Sequence, residues 1–298
     1  MNSNLNYINK IYKPYKYTLK GNVKILSCEK ENIVLKPKND KLIKTHNYML
    51  SRGFNNFVSI KDSNRENYYI YQYIYENSIP YEQKGNDMAK TVALLHAKTA
   101  YFKDIDDSTL DKIYLDIDNN IEYTKEYYSK LYDNIFMKEY YNPFEQIFMD
   151  MYSKINNACN FCKSELENWY DISRDKKSKR VVLLHNNLKL DHFIKSDEDY
   201  LISFDNAKID TPVIDLVNFY KNEYDNLDFK EVFKTYTYHF DFTADEYKLF
   251  FILISLPNII NVSNNTKENL QNITKLKNYL NKTEELIRPY YSENEKEE

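Results

Sequence analysis

The residues whose types and spacing best support chemistry fall between Arg180 and Phe219, in RVVLLHNNLKLDHFIKSDEDYLISFDNAKIDTPVIDLVNF. His185, Asn187, Asp191 and His192 follow one apolar run, and Ser203, Asp205 and Asp215 follow or flank the next. Carboxylates such as Asp191 and Asp205 are hard oxygen donors that suit magnesium. The His192 imidazole offers nitrogen, which suits zinc, copper or nickel better. The Asn187 amide can hydrogen-bond a hydroxyl but is not a base near neutral pH. Ser203 is neutral and a weak ligand.

Three elements must position these groups. Val181–Leu184 reads as a buried strand running into a His-led polar loop, and Tyr200–Phe204 as a second strand that delivers Asp205. Ser203 and Asp205, two apart on that strand, would leave the same face. A helix opens at Thr211-Pro212 with Asp215 in its first turns, where Pro is favoured. The polar cluster therefore sits at the ends of two neighbouring strands, a usual place for a site.

Upstream, Tyr17–Lys20, Val23–Cys28 and Ile33–Lys36 are short strand-like runs separated by turn material at Gly21-Asn22 and Glu29–Asn32. Leu42–Arg52 reads as a helix closed by Gly53. Phe57–Ile60 and Tyr68–Tyr75 complete a set of five candidate strands. In YYIYQYIY, Tyr69, Tyr71, Tyr73 and Tyr75 share one face, a stripe that fits core or subunit contact better than a ligand platform. Ala89–Phe102, Leu110–Tyr132, Tyr140–Trp169, Phe229–Tyr238, Ala244–Leu256 and Lys267–Ile287 show helical spacing, with Ser173–Lys179 as a charged loop. His96, in LLHAKT, reads as a hydrogen-bonded core residue.

Composition sets the limits. With 298 residues and 42% hydrophobic content, the chain can bury one large core or two lobes. A net charge of -4 gives no general attraction to nucleic acid or to an anionic membrane. The opening MNSNLNYINK has no apolar core of a secretory signal, and the apolar run Leu249–Leu256 is far short of the ~20 residues a membrane span needs. Cys28, Cys159 and Cys162 cannot form a disulfide framework. The CNFC pair lacks the further ligands zinc requires and reads as two small apolar residues on a helix. The expected location is a reducing cytoplasm.

The core resembles that of the aminoglycoside phosphotransferase and choline kinase branch of the protein-kinase-like fold, and most of all the CotS/YutH group of bacterial spore-coat-related proteins. The family core reads H-x-D-x-x-x-x-N, then a hydrophobic strand ending in I-D-(F/W)-D, then a helix containing D-L. On that pattern His185 takes the leading His and Asp215 the structural Asp. Asn187 takes the catalytic-base Asp, His192 the metal-binding Asn and Ser203 the metal-binding Asp, while Asp205 matches the second acid of the strand motif. Lys36, in IVLKPK, matches the lysine that holds the α/β-phosphates, although its other reading is a solvated strand lysine. The partner Glu expected on the next helix is missing, since no acidic residue occurs from Lys41 to Lys61.

The resemblance implies an α+β, two-lobed protein-kinase-like fold: a small antiparallel-sheet N-lobe over 1–77 with five strands and one helix, and a larger, mostly helical C-lobe over 78–291. The C-lobe would carry a degenerate catalytic loop at 185–205, and the acidic 292–298 would be a disordered tail. It also implies a choice among three functions. The first is a pseudokinase-like binding or scaffold protein with coat or scaffold proteins as partners, in the cytoplasm or a spore coat, and with no cofactor. The second is an ATP- and magnesium-dependent kinase of a small-molecule hydroxyl, with Asp191 and Asp205 as relocated carboxylates. The third is a module that binds a nucleotide or sugar in the interlobe cleft without turnover.

Overall fold

Short apolar runs broken by tight turns build the amino-terminal sheet in a computed structural model, which describes residues 2–63 and 67–292. Strands β1 (Pro14–Lys20) and β2 (Val23–Cys28) turn at Gly21, whose φ of 56° suits glycine, and β3 (Ile33–Pro37) follows. Helix α2 (Asp40–Ser51) is capped by the Asn39 side chain, which accepts from the Lys41 N–H, and it ends at Gly53 with φ 72°. With β4 (Ile60–Asp62) and β5 (Tyr68–Gln72), the strands form an antiparallel sheet of order β1-β2-β3-β5-β4.

Alternation along the strands gives this sheet two different faces. Ile33 and Leu35 of β3, with Leu26 and Ile70, pack under a helix α1 (Asn2–Ile11) through Ile8 and Tyr12. Val34 and Lys36 point the other way, with Tyr71, toward α2 and a cleft. No helix is expected at this position from the sequence; α1 packs on the sheet through Ile8, with Tyr12 just beyond its end.

The rest is mainly helical. Helix α3 (Tyr81–Thr99) leads into strand β6 (Tyr101–Asp104), and the long pair α4 (Asp107–Phe136) and α5 (Pro143–Ser173) follows. Pro143 begins α5 behind a capping box of Asn142 and Glu145. Strand β7 (Ser178–Leu184) lies between β6 and β10 (Lys208–Asp210), and β8 (Phe193–Lys195) pairs with β9 (Asp199–Leu201) as a small hairpin. Helices α6 (Val213–Glu223), α7 (Phe229–His239), α8 (Ala244–Ser255) and α9 (Thr266–Ser292) close the structure. Where α3 crosses the segment before α7, Gly85 allows a close approach: a Cβ there would lie 2.8 Å from a methyl of Leu227 and force that side chain to shift. Cys159 and Cys162 are buried on α5, and burial pushes the Cys159 thiol up to about 11.

Several expectations are corrected. The segment expected as strand Phe57–Ile60 pairs only from Ile60, because buried Phe54 and Phe57 pull it toward the other lobe, where Phe57 bridges Leu201. Strand β5 stops at Gln72, and Tyr75 is exposed rather than part of a buried stripe. The helix through LLHAKT ends at Thr99 because Tyr101–Asp104 pairs with β7, which also takes Ser178 and Lys179 from the expected loop. The expected strand Tyr200–Phe204 ends at Leu201; Ser203 then adopts a left-handed conformation, φ 70°, and Phe204–Asn206 forms a 3-10 turn. Asp205 thus stands on a turn, and the same-face argument for Ser203 and Asp205 does not hold. The expected acidic tail lies outside the described residues except for Ser292 at the end of α9.

Candidate functional site

The loop after β7 is held from beneath by a buried carboxylate. Asp215 is completely buried in the first turn of α6 and accepts the backbone N–H groups of His185 and Asn186, each at 2.7 Å. The Nε2–H of His96, from α3, donates to the same carboxylate at 3.1 Å, and the Tyr236 hydroxyl from α7 meets the other ring nitrogen at 2.7 Å. The His185 Nε2–H donates to the carbonyl of Ile202 at 2.6 Å, joining the loop to the end of β9. Burial holds the His185 imidazole below its ordinary pKa, as a neutral ring with a bare Nδ1. Farther along, the Glu223 carboxylate accepts the Leu190 N–H and the Asn222 amide donates to the Leu188 carbonyl. His185, Asp215 and His96 thus share one buried hydrogen-bonded frame beneath the loop.

Above this frame lies a cleft of about 410 Å³ between the sheet and the β8–β9 hairpin. Val23, Ile25 and Val34 supply its apolar upper wall, and Ile194, Leu201 and Ile202 its lower one. Such a volume falls within the ~300–1,000 Å³ of small-molecule sites. Lys36, Asp191, His192 and Ser203 line it, so four of the residues singled out in the sequence come together here. Lys36 is only 15% exposed and its Nζ lies 2.5 Å from a carboxylate oxygen of Asp205, 169 residues away. The lysine therefore does have an acidic partner, from the 3-10 turn rather than from the neighbouring helix. That contact also removes Lys36 from the reading as a free, solvated lysine.

The remaining site residues are placed less favourably for metal chemistry. The His192 Nδ1–H donates to the backbone carbonyl of Asn187 at 2.6 Å, and burial lowers its pKa, so a neutral imidazole nitrogen faces the cleft region. Asn187 contributes that carbonyl to the loop. Ser203 brings a hydroxyl held by left-handed backbone. Asp191, on the 3-10 turn Leu190–His192, is exposed at the rim. Among the described residues, no group of three or more His, Cys, Asp and Glu side chains is arranged to hold a metal ion. The amide of Asn187, the imidazole of His192 and the hydroxyl of Ser203 are poor donors for magnesium, which prefers anionic oxygens.

Two cleft residues escaped the sequence reading. His46 lies on the buried stripe of α2 with Leu42, Thr45 and Met49, and packs 4.7 Å from the Phe57 ring. Burial, aided by the charge of Lys36, lowers its pKa to about 4 despite Asp205 nearby, so it is neutral at physiological pH. A lone His inside an apolar helical stripe was the available signal. Tyr71 of β5, expected in a stripe of core or subunit contact, is 8% exposed and lines the cleft edge-on to His46, and its buried hydroxyl makes no hydrogen bond among the described residues.

No protein-family model matches the chain, and no curated protein matches it. Solved structures do. An aminoglycoside phosphotransferase from Alicyclobacillus acidocaldarius subsp. acidocaldarius DSM 446 is similar with a TM-score of 0.71 at 12% identity, over 95% of this chain and 93% of that one. A choline kinase from Streptococcus pneumoniae is similar with a TM-score of 0.47 at 12% identity, over 95% of each chain. An AMP-bound spectinomycin phosphotransferase gives 0.49 at 10% identity, over 97% of this chain and 93% of that one. The match to the Alicyclobacillus structure, with the sheet, cleft and helices described above, shows that the chain has the two-lobed protein-kinase-like fold, with an antiparallel-sheet N-lobe and a helical C-lobe.

Proposed function

We propose that this chain is a catalytically silent protein of the kinase-like fold, a pseudokinase, whose interlobe cleft binds without transferring phosphate. The lobes would divide near residue 77, in the Glu76–Pro80 link. Phosphoryl transfer needs a positioned nucleophile, a carboxylate to orient it, and magnesium held by hard oxygen ligands. Asn187, His192 and Ser203 supply none of the anionic oxygens at the matched positions. The observation that carries the reading is the Lys36–Asp205 ion pair at 2.5 Å. It occupies the one carboxylate from the 3-10 turn that a rescued metal site would require, and it neutralises the lysine that would meet a nucleotide's phosphates.

The resemblance to spore-coat-related proteins of the CotS/YutH type supports a binding or scaffold role, with coat or other scaffold proteins as partners and a cytoplasmic or coat location. No helix among the described residues is long and apolar enough to cross a membrane.

The test is a thermal-shift titration with ATP, with and without Mg²⁺, run beside an assay for ADP release. The silent reading predicts no ADP and no magnesium-dependent rise in melting temperature. A magnesium-dependent rise with ADP release, both abolished by Asp205→Ala, would establish instead an active phosphotransferase using Asp191 and Asp205. A rise without magnesium marks a binding module, and no rise a scaffold.

A further inference from the structure

We infer that the outer edge of β1 docks an extended segment of a partner protein in which acidic and apolar residues alternate, and which joins the amino-terminal sheet as an added strand. Such docking is independent of whether the cleft transfers phosphate.

The first support is an open row of backbone groups. Strand β1 ends the sheet of order β1-β2-β3-β5-β4, and among the described residues no strand lies beyond it. Its turn into β2 has two residues, Gly21 and Asn22, so Lys20 and Val23 form the hydrogen-bonded pair that closes the hairpin. Bonded and non-bonded pairs alternate along an antiparallel ladder, so Thr18 and Lys16 also turn their N–H and C=O groups toward β2, opposite Ile25 and Ser27. Tyr17 and Leu19, opposite Leu26 and Lys24, turn theirs outward. These outward groups are a template for another strand. The register shift between Pro14 and Lys16 confines that template to Lys16–Lys20.

The second support is what flanks the row. On the α1 side of the sheet, Tyr17 is 64% exposed and Leu19 57%, since α1 covers Leu26 and Leu35 and leaves these two bare. On the opposite side stand Lys16, Thr18 and Lys20, all exposed. The first 28 residues carry Lys10, Lys13, Lys16, Lys20 and Lys24 and no acidic residue, in a chain whose net charge is -4. Lys13 is paired with Glu29, whereas Lys16, Lys20 and Lys24 make no ion pair among the described residues. A strand laid against β1 sets its side chains alternately beside the lysine row and beside Tyr17 and Leu19. Acidic residues fit the first and apolar residues the second. Two copies of this chain joined through β1 would bring the same lysine rows together, which like charge disfavours. Edge lysines guard a sheet against self-association, and the same charge selects an acidic strand.

The probe is a fluorescein-labelled peptide, Val-Glu-Val-Thr-Val-Glu-Val-amide, titrated by anisotropy against the full chain beside a control with Lys in place of both Glu. Hydrogen exchange at residue resolution is followed in parallel. The acidic peptide is expected to bind about tenfold or more tighter than the basic one, as two charge pairs pass from attraction to repulsion. It should slow exchange of the Tyr17 and Leu19 amides and leave those of Thr18 and Lys20, which face β2, unchanged. Tyr17→Pro removes an outward N–H but no bond to β2, and should weaken the acidic peptide by about 3–10-fold. Lys16→Glu combined with Lys20→Glu should invert the preference between the two peptides, and it decides the matter if the proline variant does not fold. No binding of the acidic peptide, equal binding of the basic one, or protection that misses Tyr17 and Leu19 would each overturn the inference. So would concentration-dependent protection of the Tyr17 amide in the chain alone, the mark of a second copy, or tighter binding of an oligothymidylate to the same lysines. None of these readouts reports ADP release, so this docking and the silent cleft fail separately.

Discussion

The underside and the upper side of the loop after β7 differ in how their polar groups are used. Beneath it, one fully buried carboxylate, Asp215, gathers two backbone N–H groups and a histidine, and His185 ties the loop to Ile202. Above it, Asn187, His192 and Ser203 bring an amide, an imidazole turned back onto its own loop and a hydroxyl on left-handed backbone, while Asp205 is paired with Lys36. The loop is thus held by a buried polar frame while its upper side presents mostly neutral groups. A scaffold and its chemistry are separable because buried hydrogen bonds set the first and exposed ionic groups the second.

The largest test of this contrast is Asp215→Ala. It strips a buried network of its acceptor and leaves two N–H groups and His96 unpaired, at an expected cost of ~3–5 kcal/mol in urea unfolding. A loss under ~1 kcal/mol would break the contrast. Next is restoration of charge above the loop. A variant carrying Asn187→Asp, His192→Asn and Ser203→Asp should gain magnesium-dependent stabilisation by ATP, about 2.7 kcal/mol at a hundred times the dissociation constant. Asp is among the residues that tolerate the left-handed conformation at 203. If the variant responds to Mg–ATP no better than the parent, the proposal that missing carboxylates silence the cleft fails.

A pH series gives a smaller effect. Burial keeps His46, His185 and His192 neutral in the fold, with His46 at about 4 against an ordinary 6.5. Unfolded histidines take up protons first, so stability is intact above about pH 6.5 and falls as pH drops toward 4. For His46 alone the expected loss at about pH 5 is ~2 kcal/mol, and His46→Gln should flatten the unfolding free energy between pH 7 and 5 by that amount. The smallest expected change is Asp205→Asn. Its ion pair is partly exposed and screened, so stability should move by less than ~1 kcal/mol, read as a shift of under a few degrees in melting temperature.

The frame of the site could be read from the sequence, because its signals are local. An apolar strand followed by His185, and Pro212 before a helix with Asp215, determine where the loop begins and what braces it. The order of the amino-terminal strands was legible for the same reason, with Gly21 marking the β1–β2 turn and Gly53 the end of α2. What was not legible depends on distant pairing. Tyr101–Asp104 has no breaker before it and becomes a strand only because β7 lies alongside. Ser203 interrupts an otherwise strand-like run by adopting a conformation that no residue type there announces. The Lys36–Asp205 contact joins residues 169 apart, and the cleft that His46 and Tyr71 line exists only once the sheet meets the β8–β9 hairpin.

The bonds of His96 to Asp215 and to Tyr236 span 119 and 140 residues of chain. Loops of that length close late, after local helices and hairpins have formed. The loop above Asp215 should therefore be among the last parts to take shape on refolding, and ligand recognition should return only with the slowest kinetic phase, after most helical signal has been recovered.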